Sequence, residues 1–339
     1  MRSIVWCLLL GWTSFLACLS SSAQIAQPIV PLPLDGELRP TQLPPAALLG
    51  SPQCDSVGTV YVRYAMQDGG SYVSNIARVE ADGSTETFSL GQVQGENSHV
   101  FTFAVDRDGA MYEILRAAAT DAREMVEYVR FDGDGDVRSR EPFGQELIPS
   151  AFLPLPNGNF FLSGIMMKET NDGVSESPVA GIFGANAHLQ RRLRGDVPAR
   201  TLEDDGDVND AFLHAESVRL GDDGNMYVLL DGDHAKIAVV SQAGRIVRQL
   251  KLQEPFENGV ASDMWVSEGR LLVVYEGEAD DPKDSFVYVL YDVQSGEVIR
   301  QYKPDFRGTL ACFQDGQTLS VLVRQPLTGN VGITTAELR

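Results

Sequence analysis

The sequence contains few basic residues and few cysteines. Its 339 residues include 27 Lys and Arg against 47 Asp and Glu, for a formal net charge of −20, and only four Cys. A field of this sign repels phosphate backbones and anionic lipid surfaces, which argues against nucleic-acid and membrane-surface partners. Beyond residues 4–19 the sequence also lacks an apolar run long enough to span a bilayer. We therefore expect a globular chain without a membrane span.

The local signatures of common enzyme sites are also missing. The sequence has no G-x-S-x-G, H-E-x-x-H, C-x-x-C or Walker motif, and no G-x-G-x-x-G after a strand. These absences do not exclude catalysis, because a site can be assembled from residues that lie far apart in the chain. They do remove the usual sequence grounds for assigning a reaction.

The N-terminus has the pattern of an export signal. Met1-Arg2 precedes the apolar stretch Ile4–Leu19, and the small residues that end at Ala23 suit cleavage. We predict a signal peptide at 1–23, an N-terminal segment at 24–50, and a periplasmic or extracellular location. Lipoprotein anchoring is the alternative, because Phe15-Leu-Ala-Cys18 resembles a bacterial lipobox with Phe in place of Leu. Cys18 would then carry the lipid.

Internal repeats predict the architecture. Short apolar runs follow a turn glycine six times, with spacings of 51, 49, 66, 45 and 47 residues. The six turn glycines are Gly58, Gly109, Gly158, Gly224, Gly269 and Gly316. A strand-like segment precedes each of them, and a second hairpin follows in the first five repeats. Four strands per repeat and a period near 50 residues indicate an all-β, six-bladed β-propeller over 51–339 with four-stranded antiparallel blades.

The two ends of the chain predict how the ring closes. The sixth repeat ends with Val331–Arg339, which supplies a third strand and leaves no residues for a fourth. Leu34–Leu43 resembles the outer strand of repeat five, so we expect it to complete the last blade. Cys54 and Cys312 each lie four residues before a turn glycine, in blades that become neighbours on closure. We predict a disulfide between them, with two buried free thiols as the alternative.

Two stretches resemble a known family. Val105–Tyr112 (VDRDGAMY) and Asp222–Val228 (DDGNMYV) are similar to the strand pairs of NHL-repeat propellers. The resemblance covers roughly residues 51–339 and implies the fold rather than a chemistry. Among enzymes of this shape, gluconolactonase-type lactonases have a metal-binding Glu at the start of blade one. This chain has Ser51-Pro-Gln-Cys-Asp there instead.

Loop lengths predict which face of the propeller binds a partner. The turns within hairpins are short, whereas several second-to-third-strand and blade-to-blade connections are long. In a propeller these two kinds of connection emerge on one face, which we call the long-loop face. Asp231, Asp233 and His234 belong to such a connection and are candidate binding residues. The acidic residues of two long connections are either a solvated surface or a surface for a cation or basic partner.

Three residues are candidates for catalysis or metal binding. His99 and His214 each lie ten residues before a turn glycine, and Glu216 would point the same way as His214 in a regular strand. Two imidazoles and a carboxylate at one channel mouth could bind a divalent cation or act as acid and base. Structural histidines in a polar channel explain the same pattern, so we predict no cofactor. Asp132, Asp134 and Asp136 mimic a calcium loop, but a hairpin turn explains them better.

Three functions are consistent with these patterns. The first is a monomeric, exported binding module that recognises a protein or a small molecule through the long-loop face. The second is a metal-assisted hydrolase or lyase with its site at the channel mouth. The third is a cell-envelope scaffold that resembles the TolB-type propellers, which lipidation at Cys18 would favour.

Overall fold

A computed structural model provides the structure of the chain. It describes residues 28–43, 48–68, 71–89, 99–117, 125–170, 173–195, 212–230, 235–255, 259–277, 286–325 and 329–339. The predicted signal peptide and Cys18 lie outside these ranges. Within them, no helix has the length and apolar character needed to cross a membrane.

Two short strands precede the first blade, β1 (Ile29–Leu32) and β2 (Arg39–Pro40). Three four-stranded blades follow. Blade 1 contains β3 (Gln53–Cys54), β4 (Val60–Asp68), β5 (Ser71–Val79) and β6 (Thr85–Ser89). Blade 2 contains β7 (His99–Val105), β8 (Met111–Ala117), β9 (Met125–Phe131) and β10 (Val137–Pro142). Blade 3 contains β11 (Glu146–Pro154), β12 (Phe160–Thr170), β13 (Gly173–Phe183) and β14 (Leu189–Arg192).

The remaining strands form three further blades. Blade 4 contains β15 (Arg194–Gly195), β16 (Ala215–Leu220), β17 (Met226–Leu230), β18 (Lys236–Val240) and β19 (Arg245–Lys251), and a 3-10 helix (Phe212–His214) precedes β16. Blade 5 contains β20 (Val260–Ser267), β21 (Arg270–Glu276), β22 (Phe286–Asp292) and β23 (Val298–Pro304), with β1 at its outer edge. Blade 6 contains β24 (Thr309–Gln314), β25 (Thr318–Arg324), β26 (Val331–Glu337) and, outermost, β2.

The six blades form a closed ring. In each blade the first strand is innermost, and successive strands pair antiparallel toward the outside. The innermost strands contact one another around the axis, and β24 of blade 6 meets β3 of blade 1. This arrangement confirms the predicted six-bladed β-propeller. It differs in one detail, because β1 and β15 add a fifth, parallel strand to blades 5 and 4.

Burial follows strand position within a blade. The second strand of blade 4, Met226–Leu230, is buried along its whole length. The outer strand Arg245–Lys251 alternates between exposed and buried residues. Middle strands are covered on both faces by neighbouring blades and read as continuous apolar runs, whereas outer strands meet solvent on one side.

The turn glycines have the backbone conformation that the repeat pattern requires. All six have positive φ, between 59° and 88°, at the turn between the first and second strands. In blades 5 and 6 the preceding residue, Glu268 or Asp315, also has positive φ, as a type I′ hairpin turn requires. Glycine therefore recurs at these turns because residues with a side chain rarely adopt positive φ.

The hydrophobic core is divided among the blade interfaces. Six clusters of buried side chains each join two neighbouring blades. The cluster between blades 2 and 3 stacks Tyr128 and Phe183 on opposite sides of Phe160, at ring distances of 4.4 and 5.5 Å. Each blade therefore depends on both neighbours, and the ring must be closed for the last interface to form.

The N-terminal segment closes the ring by contacting three blades. Residue Ile29 pairs in parallel with Gln301 of blade 5, and Arg39 pairs antiparallel with Ile333 of blade 6. The Gln42 amide then donates to Thr85 Oγ1 of blade 1 at 3.2 Å. The predicted fourth strand of blade 6 is therefore confirmed. The attachment to blade 5 was not predicted, because β1 pairs in parallel and has no hairpin signature.

A disulfide joins Cys54 and Cys312 across the same closure. The two Cα atoms are 5.8 Å apart, and the bond links inner strands β3 and β24 over 258 residues of chain. Cys312 is fully buried in the cluster between blades 6 and 1. The bond therefore connects the first and last blades of the propeller.

Loss of this disulfide should destabilise the protein. Because the cross-link restricts the unfolded chain over a long loop, replacing both cysteines by Ser should lower the free energy of unfolding by about 2–5 kcal/mol. Denaturant unfolding of the wild type, with and without reductant, provides the measurement. The double variant should not respond to reductant. Two titratable thiols per denatured, unreduced mature chain would contradict the bond.

Aspartates at the turns are bonded to buried tyrosines of the next strand. Tyr112 donates to Asp106 Oδ2 at 2.6 Å, and Tyr227 donates to Asp223 Oδ2 at 3.0 Å. Asp106 Oδ1 also accepts the amides of Asp108 and Ala110. One carboxylate thus fixes the turn with one oxygen and the following strand with the other.

Alkaline pH should weaken these tyrosine contacts. Burial, reinforced by the neighbouring aspartate, raises the pKa of Tyr61 and Tyr227 from 10.0 to about 12. The fold therefore favours the neutral phenol, so this stability is complete below pH 10 and is lost as the pH rises through about 12. Absorbance titration of the tyrosines and denaturant unfolding across this range would measure it. Titration of all ten tyrosines near pH 10 in a folded protein would contradict the assignment.

Candidate functional site

The six innermost strands surround a channel on the propeller axis, and five of them contain a bulge. The antiparallel register shifts once in each of β7, β11, β16, β20 and β24. In β20, Ala261 pairs with Tyr275 but Asp263 pairs with Val274, so Ser262 is the extra residue. A bulge breaks the two-residue alternation and changes which side chains face the axis.

One end of the channel is crossed by an arginine. This end lies at the first-to-second-strand turns and forms a cavity of about 330 Å³. From blade 2, Arg107 donates to Leu220 O and Asp222 Oδ1 of blade 4, at 3.4 and 3.1 Å. Asp222 Oδ2 also accepts the Glu268 amide of blade 5 at 2.8 Å. Contacts among blades 2, 4 and 5 therefore cross this end of the channel.

The other part of the channel is lined by polar side chains. This channel cavity has a volume of about 260 Å³ and lies nearer the starts of the inner strands, toward the long-loop face. Its polar lining consists of Ser51, Gln53, Arg63, Thr102, Ser150, Ser217, Arg219 and Asp263. Hydroxyl, amide, guanidinium and carboxylate groups from blades 1 to 5 thus meet in one space. Such convergence of polar groups is typical of ligand sites.

Asp263 organises one wall of the channel cavity. Its Oδ1 accepts from Ser217 Oγ at 2.6 Å, from Arg219 Nη2 at 3.0 Å and from the Met264 amide at 2.8 Å. Its side chain and that of Arg219 are only 16% and 19% exposed. The Arg219 guanidinium also lies 5.4 Å from the centre of the Trp265 ring. This wall is therefore a charge-balanced, rigid group of side chains.

Arg63 also lines the channel cavity, but few of its N–H donors form hydrogen bonds. Nη1 donates to Val100 O at 3.4 Å, and the buried Nε has no hydrogen-bond partner in the described part of the chain. Burial lowers the pKa of Arg63, while the nearby carboxylate of Glu113 acts in the opposite direction. A guanidinium has five N–H donors, so Arg63 retains donors for another acceptor.

His99 does not line the channel cavity, although it lies next to it. It is the exposed first residue of β7, and its ring packs edge-on against Phe101, which does line the cavity, at 5.1 Å. The proposed grouping of His99 with His214 and Glu216 stays a prediction.

His214 and Glu216 do not occupy a regular strand. His214 ends the 3-10 helix, and Glu216 is the extra residue of the β16 bulge, between Ala215 and Ser217. The expectation of a regular strand through both positions does not hold for the backbone, and the roles proposed for these two residues stay predictions. Their side chains, and all of Asp231, Asp233 and His234, lie outside the described residues.

Asp132 is bonded within a hairpin turn. Its Oδ1 accepts the amides of Asp134 and Asp136 at 3.0 and 2.9 Å, and its Oδ2 pairs with Arg138. In the part of the chain that the structure describes, no group of three His, Cys, Asp or Glu residues could hold a metal ion. The turn interpretation of this acidic stretch agrees with these contacts.

None of the residues that line the channel cavity was predicted from the sequence to be functional. Asp263 was detectable as a lone carboxylate in the inner-strand segment Val260–Ser267. Arg63 gave no comparable signal, because it follows the expected alternation of β4 and lies in a second strand. Its access to the cavity depends on how blades 1 and 2 pack.

Comparisons with known proteins identify no family for this chain. No protein-family model matches the sequence, and no curated protein matches it. Among solved structures, a protein of unknown function from Dyadobacter fermentans is 12% identical, with 93% of this chain and 98% of that chain covered and a TM-score of 0.49. A gluconolactonase from Xanthomonas campestris is 12% identical, with 89% and 98% covered and a TM-score of 0.45.

A luciferin-regenerating enzyme is similar in structure to this chain to about the same degree. It is 11% identical, with 89% of this chain and 95% of that chain covered and a TM-score of 0.48. Identities this low carry no information about activity. The NHL-repeat and TolB-type assignments therefore stay predictions.

Elemental analysis would test the metal-site hypothesis. We expect purified mature protein to contain no stoichiometric divalent metal, and its thermal unfolding to be unchanged by a chelator. The analysis should include wild type and the His214→Ala variant. About one metal per wild-type chain, lost in the variant, would overturn this expectation and favour the hydrolase or lyase alternative.

Proposed function

We propose that this chain is an exported binding module that holds a carboxylate-bearing ligand at the long-loop end of its channel. The ligand is either a small molecule or a segment of a protein partner. Export follows from the sequence pattern of residues 1–23, with Gln24 as the first mature residue. The channel cavity is the binding site, and Arg63 is the residue that anchors the ligand.

The state of Arg63 is the observation that carries this proposal. Its guanidinium lines the channel cavity but makes a single long hydrogen bond, to Val100 O. The carboxylate of Glu113 lies near it, and of the described residues with a buried side-chain N or O atom that lacks a hydrogen-bond partner, Arg63 is the one that lines this cavity. A carboxylate is the natural complement, because its two oxygens match the planar fork of a guanidinium.

The rest of the cavity supports a hydroxylated ligand. Four hydroxyl side chains line it, and Ser150 is the extra residue of the β11 bulge, where strand pairing is locally disrupted. Arg219 donates to Oδ1 of Asp263, so this wall is balanced in charge, while Oδ2 of Asp263 makes no hydrogen bond within the described part of the chain. The channel cavity lies toward the long-loop face, so the ligand approaches from that side.

A matched pair of sugars tests the role of Arg63. Galacturonate and galactose differ chiefly by one carboxylate, and we expect only galacturonate to raise the melting temperature of the wild type. In Arg63→Met, calorimetric affinity for galacturonate should fall at least about tenfold, because a charge-assisted contact is lost.

Arg192→Met is the control for this experiment. Arg192 also donates to a single carbonyl, Pro178 O at 3.4 Å, but it lies exposed on an outer strand and does not line the cavity. The Arg192→Met variant should bind galacturonate with the affinity of the wild type. Equal affinity in the wild type and Arg63→Met, or no binding by folded wild type, would contradict the proposed anchor.

A further inference from the structure

A larger cavity lies between blades 5 and 6, beside the channel. This inter-blade cavity has a volume of about 430 Å³, within the range of small-molecule sites. Trp265, Phe286, Tyr288 and Phe306 contribute aromatic surface, and Asp263 lies where the cavity adjoins the channel cavity. Glu276 and Arg307 also line the cavity, so it combines apolar contact with charged groups of both signs.

The register of blade 5 sets the spacing of its polar groups. Asp263 pairs with Val274, and Val274 pairs with Tyr288, so the three side chains lie in one row on the same face of the sheet. Neighbouring strands are about 4.8 Å apart, which places the Cα atoms of Asp263 and Tyr288 about 10 Å apart. Val274 supplies an apolar floor between these two polar positions.

Tyr288 lacks the hydrogen bond that comparable tyrosines make. Its side chain is only 4% exposed, yet its hydroxyl has no hydrogen-bond partner among the described residues. By contrast, Tyr112 and Tyr227 donate to turn aspartates, and Tyr275 bonds to Tyr291. Burial also raises the pKa of Tyr288 to about 12, so the phenol is neutral and can donate or accept. This hydroxyl makes no hydrogen bond within the described part of the chain, so it is available to a ligand that reaches the cavity.

Asp263 retains one acceptor oxygen. All three of its hydrogen bonds within the described part of the chain fall on Oδ1, which leaves Oδ2 without one. A carboxylate oxygen accepts from an ammonium group but cannot donate. Aromatic faces also attract cations, and the net charge of −20 raises the local concentration of cationic ligands.

We propose that the inter-blade cavity binds a small arylalkylamine that carries a hydroxyl at its far end. The ammonium group donates to Asp263 Oδ2, the apolar body lies over Val274 among Trp265 and Phe306, and the hydroxyl pairs with the Tyr288 phenol. The proposal is independent of the carboxylate site at Arg63, which lines only the channel cavity.

Three probes of matched shape test this site. Tyramine has both polar ends, phenethylamine lacks the hydroxyl, and 3-(4-hydroxyphenyl)propionate replaces the ammonium by a carboxylate. Calorimetry of the wild type should give tyramine about tenfold higher affinity than phenethylamine, which corresponds to one hydrogen bond, and no measurable affinity for the propionate. Failure of tyramine to bind folded wild type, or equal affinities for the two amines, would overturn the proposal.

Tyr288→Phe separates binding from a structural role. The variant should lose the preference for tyramine over phenethylamine, while its unliganded stability should be unchanged or higher, because an unpartnered hydroxyl is removed. Tyr302→Phe is the control, since Tyr302 is the next residue in the same row but donates to Arg339 O. A retained preference in Tyr288→Phe, or the same loss in Tyr302→Phe, would overturn the assignment of the phenol.

Asp263→Asn tests the charged end. It keeps an oxygen for Ser217 and the Met264 amide but removes the negative charge, so affinity for both amines should fall at least tenfold. Arg63→Met should bind tyramine normally even if it loses galacturonate, so the two sites can fail separately. Unchanged amine affinity in folded Asp263→Asn would overturn the role of the carboxylate.

Discussion

Closure of the ring is the constraint on which the rest of this structure depends. Each hydrophobic cluster lies between two blades, so no blade buries its faces alone. The interface between blades 6 and 1 joins blades from opposite ends of the chain, so it forms only when the ring closes. Residues 29–43 contact blades 5, 6 and 1 in succession, and the disulfide at Cys54 joins the inner strands of the first and last blades.

The closed ring determines the shape of the channel. Six inner strands converge on one axis, and the bulges in five of them decide which side chains reach it. At the turn end, Arg107 joins blade 2 to blade 4 through Asp222. At the other end, Arg63 and Asp263 face a shared polar space. The turn end is therefore crossed by contacts between blades, whereas the other end holds the proposed anchor, although all six blades share one strand plan.

The candidate sites contain polar groups that make few hydrogen bonds, whereas the carboxylates at the turns make several. Most turn carboxylates are occupied: Asp106 holds two amides and a tyrosine, and Asp222 holds an arginine and an amide. Arg63 and Tyr288 are exceptions, because their buried or half-buried donors make few contacts beside a cavity. Other buried polar atoms of the described residues also lack hydrogen-bond partners, Ser163 Oγ and Gln249 Nε2 among them, but those residues line neither cavity.

The amino-acid sequence by itself determined the six blades, the N-terminal strand of the last blade and the equivalent positions of Cys54 and Cys312. Each of these cysteines lies four residues before a turn glycine, in the first and last blades. These features follow from turn glycines and apolar runs, which act over a few residues and repeat along the chain. Only the tertiary structure decided the sites. Glu216 lies at a bulge rather than in a regular ladder, and Arg63 gained its place from the packing of two blades. Asp263 and Tyr288 lie in one row because three strands pair in a particular register. Register and blade packing arise from contacts between distant segments, so local sequence periodicity does not encode them.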